Sequence, residues 1–164
     1  MEVTEHIKES AKKTNLPYLR LSRSTAAERE IAEHEWMIHT VADTQECVEL
    51  LSKLPGNILL TTGSKELHAY AAREEIRERL FVRVLPGVES IEICHREQIP
   101  GKQIIAMQGP FGTELNEALI RQYDIGVLVT KESGQAGGFP EKIRAAEHTK
   151  IPVVMIQNPE QAAG

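Results

Sequence analysis

Residues Gln103 to Pro140 read QIIAMQGPFGTELNEALIRQYDIGVLVTKESGQAGGFP. Two apolar runs, Ile104-Ile105-Ala106-Met107 and Ile125-Gly126-Val127-Leu128-Val129, each end in a polar loop that carries glycine. The first loop is Gln108 to Thr113 and the second is Thr130 to Gly138, and each leads into a helical pattern. Short apolar runs without alternation mark strands covered on both faces, as in a parallel sheet. In open α/β sheets the loops after such strands gather at the carboxyl ends, where ligands bind.

The same alternation extends outward. Val3 to Thr14 has a helical period, and Leu16 to Leu21 reads as a half-exposed strand. Ser24 to Glu35 is polar and charged, and reads as a connecting segment or a short helix. Trp36 to Val41 predicts a strand, Ala42-Asp43-Thr44 offers an N-cap, and Gln45 to Leu54 predicts an amphipathic helix. Ile58 to Thr61 is the next buried strand and ends in a third loop, Thr61-Thr62-Gly63-Ser64-Lys65. A helix over Glu66 to Arg79, a strand over Leu80 to Leu85 and a helix over Val88 to Glu97 follow. After Pro140 a helix over Glu141 to Thr149 and a strand over Ile151 to Ile156 complete the order. Strands alternating with helices predict an α/β fold, a doubly wound and mostly parallel sheet with right-handed crossovers. A flavodoxin-like order is the first expectation, within a flavodoxin-like or Rossmann-like class.

Composition bounds the function. The chain has 164 residues, 41% of them hydrophobic and 26% charged, and a net charge of −5. That length is about one domain. The acidic balance argues against nonspecific nucleic-acid binding, and no apolar run reaches the roughly 20 residues of a membrane span. The charged segment Met1 to Lys13 does not resemble a signal peptide. Cys47 and Cys94 form neither a disulfide framework nor a metal spacing, which suits a reducing cytoplasm. The six histidines show no metal spacing either, so no metal site is expected.

Each loop has a functional and a plain reading. Thr62, Gly63, Ser64 and Lys65 suit a phosphate or carboxylate, or form an ordinary turn with Ser64 as cap. The GxxxxGK[ST] spacing of a nucleotide-binding P-loop is absent. Gln108, Gly109, Pro110 and Phe111 offer an amide and an aromatic ring to a flat ligand, or else Phe111 packs the next helix behind a Thr113 cap. Lys131, Ser133, Gly134, Gly137 and Gly138 favour an anion, or form a solvated flexible loop. No residue is a convincing general acid, so the catalytic residues are unassigned.

Taken together, LLTTGSKEL, RVLPGVE, AMQGPF and LVTKESGQAGG followed by KIRAAEHTKIPVVMI resemble the precorrin-6A reductase family, including cobalt-precorrin-6A reductases of cobalamin biosynthesis. The resemblance runs in order from Val3 to Pro159. It implies two α/β domains with a cleft between them, and an NADPH- or NADH-dependent reduction of one double bond in a carboxylated tetrapyrrole. It implies that the thirteen loop residues named above, Thr62 to Lys65, Gln108 to Phe111, and Lys131, Ser133, Gly134, Gly137 and Gly138, bind cofactor or substrate. Family members begin with a strand and a GGTxE-type loop and carry a DATHPF-like stretch, neither of which this chain has. The resemblance therefore implies an N-terminally truncated form, with residues 1–35 the remnant of a first domain and residues 36–164 the second. An edge exposed at Leu16 to Leu21 would then invite a homodimer or strand swapping. A noncatalytic nucleotide- or anion-binding domain is the alternative, and a flavin-binding protein a third reading.

Overall fold

A computed structural model describes residues 37–132 and 138–157. The expected remnant at residues 1–35, its exposed strand and Trp36 lie outside the described residues.

Six strands form one sheet in the order β1-β6-β5-β2-β3-β4, all parallel. They are β1 (Ile38–Val41), β2 (Asn57–Leu60), β3 (Leu80–Val84), β4 (Ile104–Ala106), β5 (Ile125–Lys131) and β6 (Val153–Ile156). Counted from β2, the strands take the 3-2-1-4-5 order of the Rossmann-like arrangement, with β1 added at the far edge. The doubly wound parallel class expected from the apolar runs is observed, but in the Rossmann-like and not the flavodoxin-like order expected first, because β3 lies between β2 and β4.

Helices cover both faces. Beside β1, β2 and β3 lie α1 (Thr44–Leu51), α2 (Leu67–Ala71), α3 (Glu74–Arg77) and α4 (Val88–Arg96). They close a core around Val48, Leu51, Ile58, Leu60, Leu67, Tyr70, Val82 and Val127. The opposite face is covered by α5 (Thr113–Gln122) and α6 (Phe139–Thr149). Its core contains Leu59, Leu128, Ile120, Phe139, Ile143 and Met155. Alternation along β2 explains the split: Ile58 and Leu60 point to the first face and Leu59 to the second.

Local chemistry sets the boundaries. Asp43 caps α1 as expected, its Oδ1 accepting from the Glu46 N–H at 2.9 Å, and Glu46 returns a carboxylate to the Ala42 N–H at 2.8 Å. The single helix expected over Glu66 to Arg79 is two short ones. Arg73 between them is extended, and Arg77 donates to the Ala71 carbonyl at 2.8 Å, closing the end of α2. Gly112, not Thr113, precedes the first residue of α5, and Glu66, not Ser64, precedes α2. Pro140 sits in the first turn of α6, where a missing N–H costs nothing.

Candidate functional site

The sheet changes winding direction between β2 and β5. The connection from β2 crosses to β3 over one face, and the connection from β5 crosses to β6 over the other. Open α/β sheets bind ligands at the carboxyl ends of such a switch point, and two of the three sequence loops leave the sheet there.

The loop after β2 is pinned at its root. The Thr61 hydroxyl and N–H both donate to the Val129 carbonyl of β5, at 2.7 and 3.0 Å. Thr62, Gly63 and Ser64 are half-buried and Lys65 is exposed. Gly63 has φ +85 and open space where a Cβ would stand. Among the described residues the Thr62 and Ser64 hydroxyls have no side-chain hydrogen bond.

Lys131, at the end of β5, faces the Glu66 carboxylate at 4.0 Å. Glu66 also accepts from the Thr44 hydroxyl at 2.5 Å. Lys131 is thus a half-exposed lysine with a carboxylate opposite it, not an isolated cation. The Tyr70 hydroxyl is buried nearby, with the Cys47 and Thr44 side chains beside it. Burial, with the neighbouring Cys47 and Glu66, pushes its ionisation well above the usual range. Ser133, Gly134 and Gly137 lie outside the described residues, and Gly138 precedes α6 with φ +74.

The loop after β4 starts two strands away from β2 but folds back. The Met107 N–H donates to the Val84 carbonyl at 3.0 Å. Gln108 and Pro110 are exposed, Gly109 and Phe111 are half-buried, and the Gly109–Pro110 bond is cis. The Phe111 ring reaches β3, where the Arg83 guanidinium stacks 3.7 Å from its centroid. One face of the ring expected to meet a flat ligand is thereby occupied by a cation.

Sequence reading missed the polar cluster behind that ring. Arg83 on β3 is 5% exposed and donates to Asn116 Oδ1 on α5 at 2.7 Å. Lys142 on α6 is 7% exposed and donates to Thr130 Oγ1 on β5 at 2.9 Å. Burial pulls Arg83 down to about 10. Burial, and then the Arg83 charge, pull Lys142 down to about 8. A single arginine in LFVRVL was the available signal, as was Lys142 one helical turn from Phe139 and Ala146 on the buried face of α6.

Comparisons with known proteins follow the same lines. Residues 1–164 match the family described as precorrin-6x reductase CbiJ/CobK. A cobalt-precorrin-6A reductase of Priestia megaterium is 36% identical over 155 residues, covering 92% of this chain and 58% of that protein. One of Methanothermobacter thermautotrophicus is 35% identical over 161 residues, covering 97% and 51%. The chain thus spans little more than half the length of these curated relatives. A solved structure of CobK precorrin-6A reductase shares the fold with TM-score 0.61 at 22% identity, covering 84% of this chain and 50% of that one. With the whole chain matched, and relatives above one-third identity over nine-tenths of it, the chain belongs to the precorrin-6x reductase CbiJ/CobK family.

Proposed function

We propose that this chain supplies the cofactor- and substrate-binding domain of an oxidoreductase that reduces one double bond of precorrin-6A or cobalt-precorrin-6A. The observation that carries this reading is the topological switch point between β2 and β5, flanked by the Gly63 and Lys131 loops, in a family member. NADPH or NADH is the hydride donor in this reading. The residues present fit such a group. Thr62 and Ser64 bring uncommitted hydroxyls, and Gly63 leaves the backbone open to close approach. Thr62 to Lys65, Gln108 to Phe111, and Lys131, Ser133, Gly134, Gly137 and Gly138 are the proposed cofactor- and substrate-binding residues. Their work is to hold and orient the two ligands, which is where much of the acceleration of such a transfer arises.

Lysines and N–H donors suit the carboxylates of a tetrapyrrole. The exposed Leu85, in the loop after β3, and Val88, the first residue of α4, suit its apolar faces. No described helix is long and apolar enough to cross a membrane, and the two buried thiols are free, in keeping with a cytoplasmic enzyme. The alternative is a noncatalytic nucleotide- or anion-binding domain. Titration with NADPH and NADH, followed by melting temperature and cofactor fluorescence, tests the first step. A ligand at about 100 times its Kd adds about 2.7 kcal/mol, which a melt resolves. Binding weakened by Gly63→Val supports the placement, whereas absence of binding to both cofactors overturns it. A reductase assay with precorrin-6A then separates the enzyme from the binding domain.

A further inference from the structure

Arg83 and Lys142 are buried cations on the α5–α6 face, and no described carboxylate pairs with either. The carboxylate at the switch point, Glu66, faces Lys131 from the opposite side of the sheet. The neutral acceptors that Arg83 and Lys142 do have are Asn116 Oδ1 and Thr130 Oγ1. The guanidinium only donates, so its bond at 2.7 Å fixes the Asn116 amide with Oδ1 toward it. The amide nitrogen Nδ2 then points elsewhere, fully buried and with no partner among the described residues. A guanidinium, an ammonium and an amide N–H thus lie buried on one face of the sheet, the guanidinium close enough for its charge to act on Lys142, with more donors than acceptors among the described residues. The Phe111 ring softens the guanidinium charge on one side but accepts no proton.

Taking two positive charges out of water is costly unless a counter-charge accompanies them. An apolar pair of similar volume would pack α6 on the sheet as well or better. The site also lies where a ligand is placed by the fold. Arg83 and Thr130 are the penultimate residues of β3 and β5, the strands that flank β2. Two cations and an amide donor make a set that matches the oxygens of a phosphate or carboxylate.

We propose that Arg83, Lys142 and Asn116 form a subsite for one oxyanion, a phosphate or carboxylate group of the ligand bound at the β2–β5 switch point. The inference rests on reading that switch point as a ligand site, and it adds the residues that take the charge.

The test uses the full chain, lysine-labelled for NMR, at constant ionic strength set with sodium chloride. The Lys142 signal is identified by its loss in Lys142→Met. Inorganic phosphate and tricarballylate are titrated separately, with calorimetry alongside. A saturable shift of the Lys142 signal by at least one of them is expected. Asn116→Asp places a carboxylate against Arg83, and is expected to melt higher and to weaken anion binding at least tenfold. Lys142→Met, which keeps the apolar stem, is expected to weaken it similarly and serves if the first variant does not fold. A response to phosphate alone assigns the subsite to a cofactor phosphate, and a response to tricarballylate alone to a substrate carboxylate. A response to both supports an unselective subsite. No shift beyond the chloride control, or undiminished binding in a folded variant, overturns the proposal. No step uses turnover, so failure here leaves the reductase reading standing, and failure of the reductase assay leaves this result standing.

Discussion

The backbones of Gly56 and Gly126 touch. A Cβ on Gly126 would fall 2.9 Å from Gly56 Cα and 2.9 Å from the Pro55 carbonyl oxygen. Gly126 lies where the register between β2 and β5 shifts, Asn57 facing Ile125 and Ile58 facing Val127. Both neighbours are main chain, so no side chain can swing away. Gly126→Ala is therefore expected to destabilise the fold by about 3 kcal/mol, read as a lower urea midpoint. Unchanged stability would show that the two strands are free to part at this point.

Arg79 ties together three carbonyls at and just beyond the end of α1. It donates from Nε to Gly56 at 2.7 Å, from Nη1 to Leu51 at 3.2 Å and from Nη2 to Leu54 at 2.5 Å. Arg79→Met keeps the stem and abandons these acceptors, at an expected cost of about 2 kcal/mol. Arg79→Lys should restore only part of this, because one ammonium cannot serve three carbonyls spread over a planar fork. Equal melting temperatures for the lysine variant and the parent would contradict the assignment.

Lys142 makes stability depend on pH in an unusual direction. Its folded value, about 8, lies below the ordinary 10.5, because burial and Arg83 disfavour the charged form. Below pH 8 the lysine is charged in both states and the penalty is fully present. Between about pH 8 and 10.5 the unfolded chain binds more protons, so the unfolding free energy rises with pH. The whole effect is bounded at about 3 kcal/mol. Lys142→Met should remove the dependence and stabilise the fold at pH 7. Urea melts of both proteins at pH 7 and 9.5, in phosphate-free buffer, measure the difference. A parent that loses stability relative to the variant on going to pH 9.5 would reverse the sign and refute this account.

The thiols should be silent in the native protein. Cys47 is fully buried and pushed up to about 12 by burial, and Cys94 is buried and raised for the same reason. Neither offers a thiolate at neutral pH. A chromogenic disulfide reagent at pH 8 is expected to find no fast-reacting thiol in native protein, and both after denaturation. A fast native reaction would mean that α1 or α4 opens locally.

The sheet was legible because parallel strands buried on both faces leave uninterrupted apolar runs, such as Ile58-Leu59-Leu60 and Val153-Val154-Met155-Ile156. The Asp43 cap was legible for a local reason, since its partner Glu46 is three residues away. The break at Arg73 was not. No glycine or proline marks it, and the bends depend on contacts such as the one from Arg73 to Glu49, far back along the chain. The three loops could be named from glycines and hydroxyls, but not how they meet. Lys131 opposite Glu66 and Phe111 beneath Arg83 are relations between distant segments. The buried donors were hidden for the same reason. Asn116 follows Arg83 by 33 residues, and Lys142 follows Thr130 by 12.

β1 pairs only with β6 among the described strands, Ile38 beside Val153 and Val41 beside Ile156. During synthesis, the first of these strands must therefore wait while the four described strands and six described helices between it and β6 leave the ribosome. Until Ile156 arrives, β1 has no neighbour among the described strands and the Val129 edge of β5 stands open. Pairings so distant in sequence are slow to form, because the long intervening chain must be ordered before they contribute. The nascent chain passes through a stage in which two apolar edges await one strand, and chaperone capture would act there.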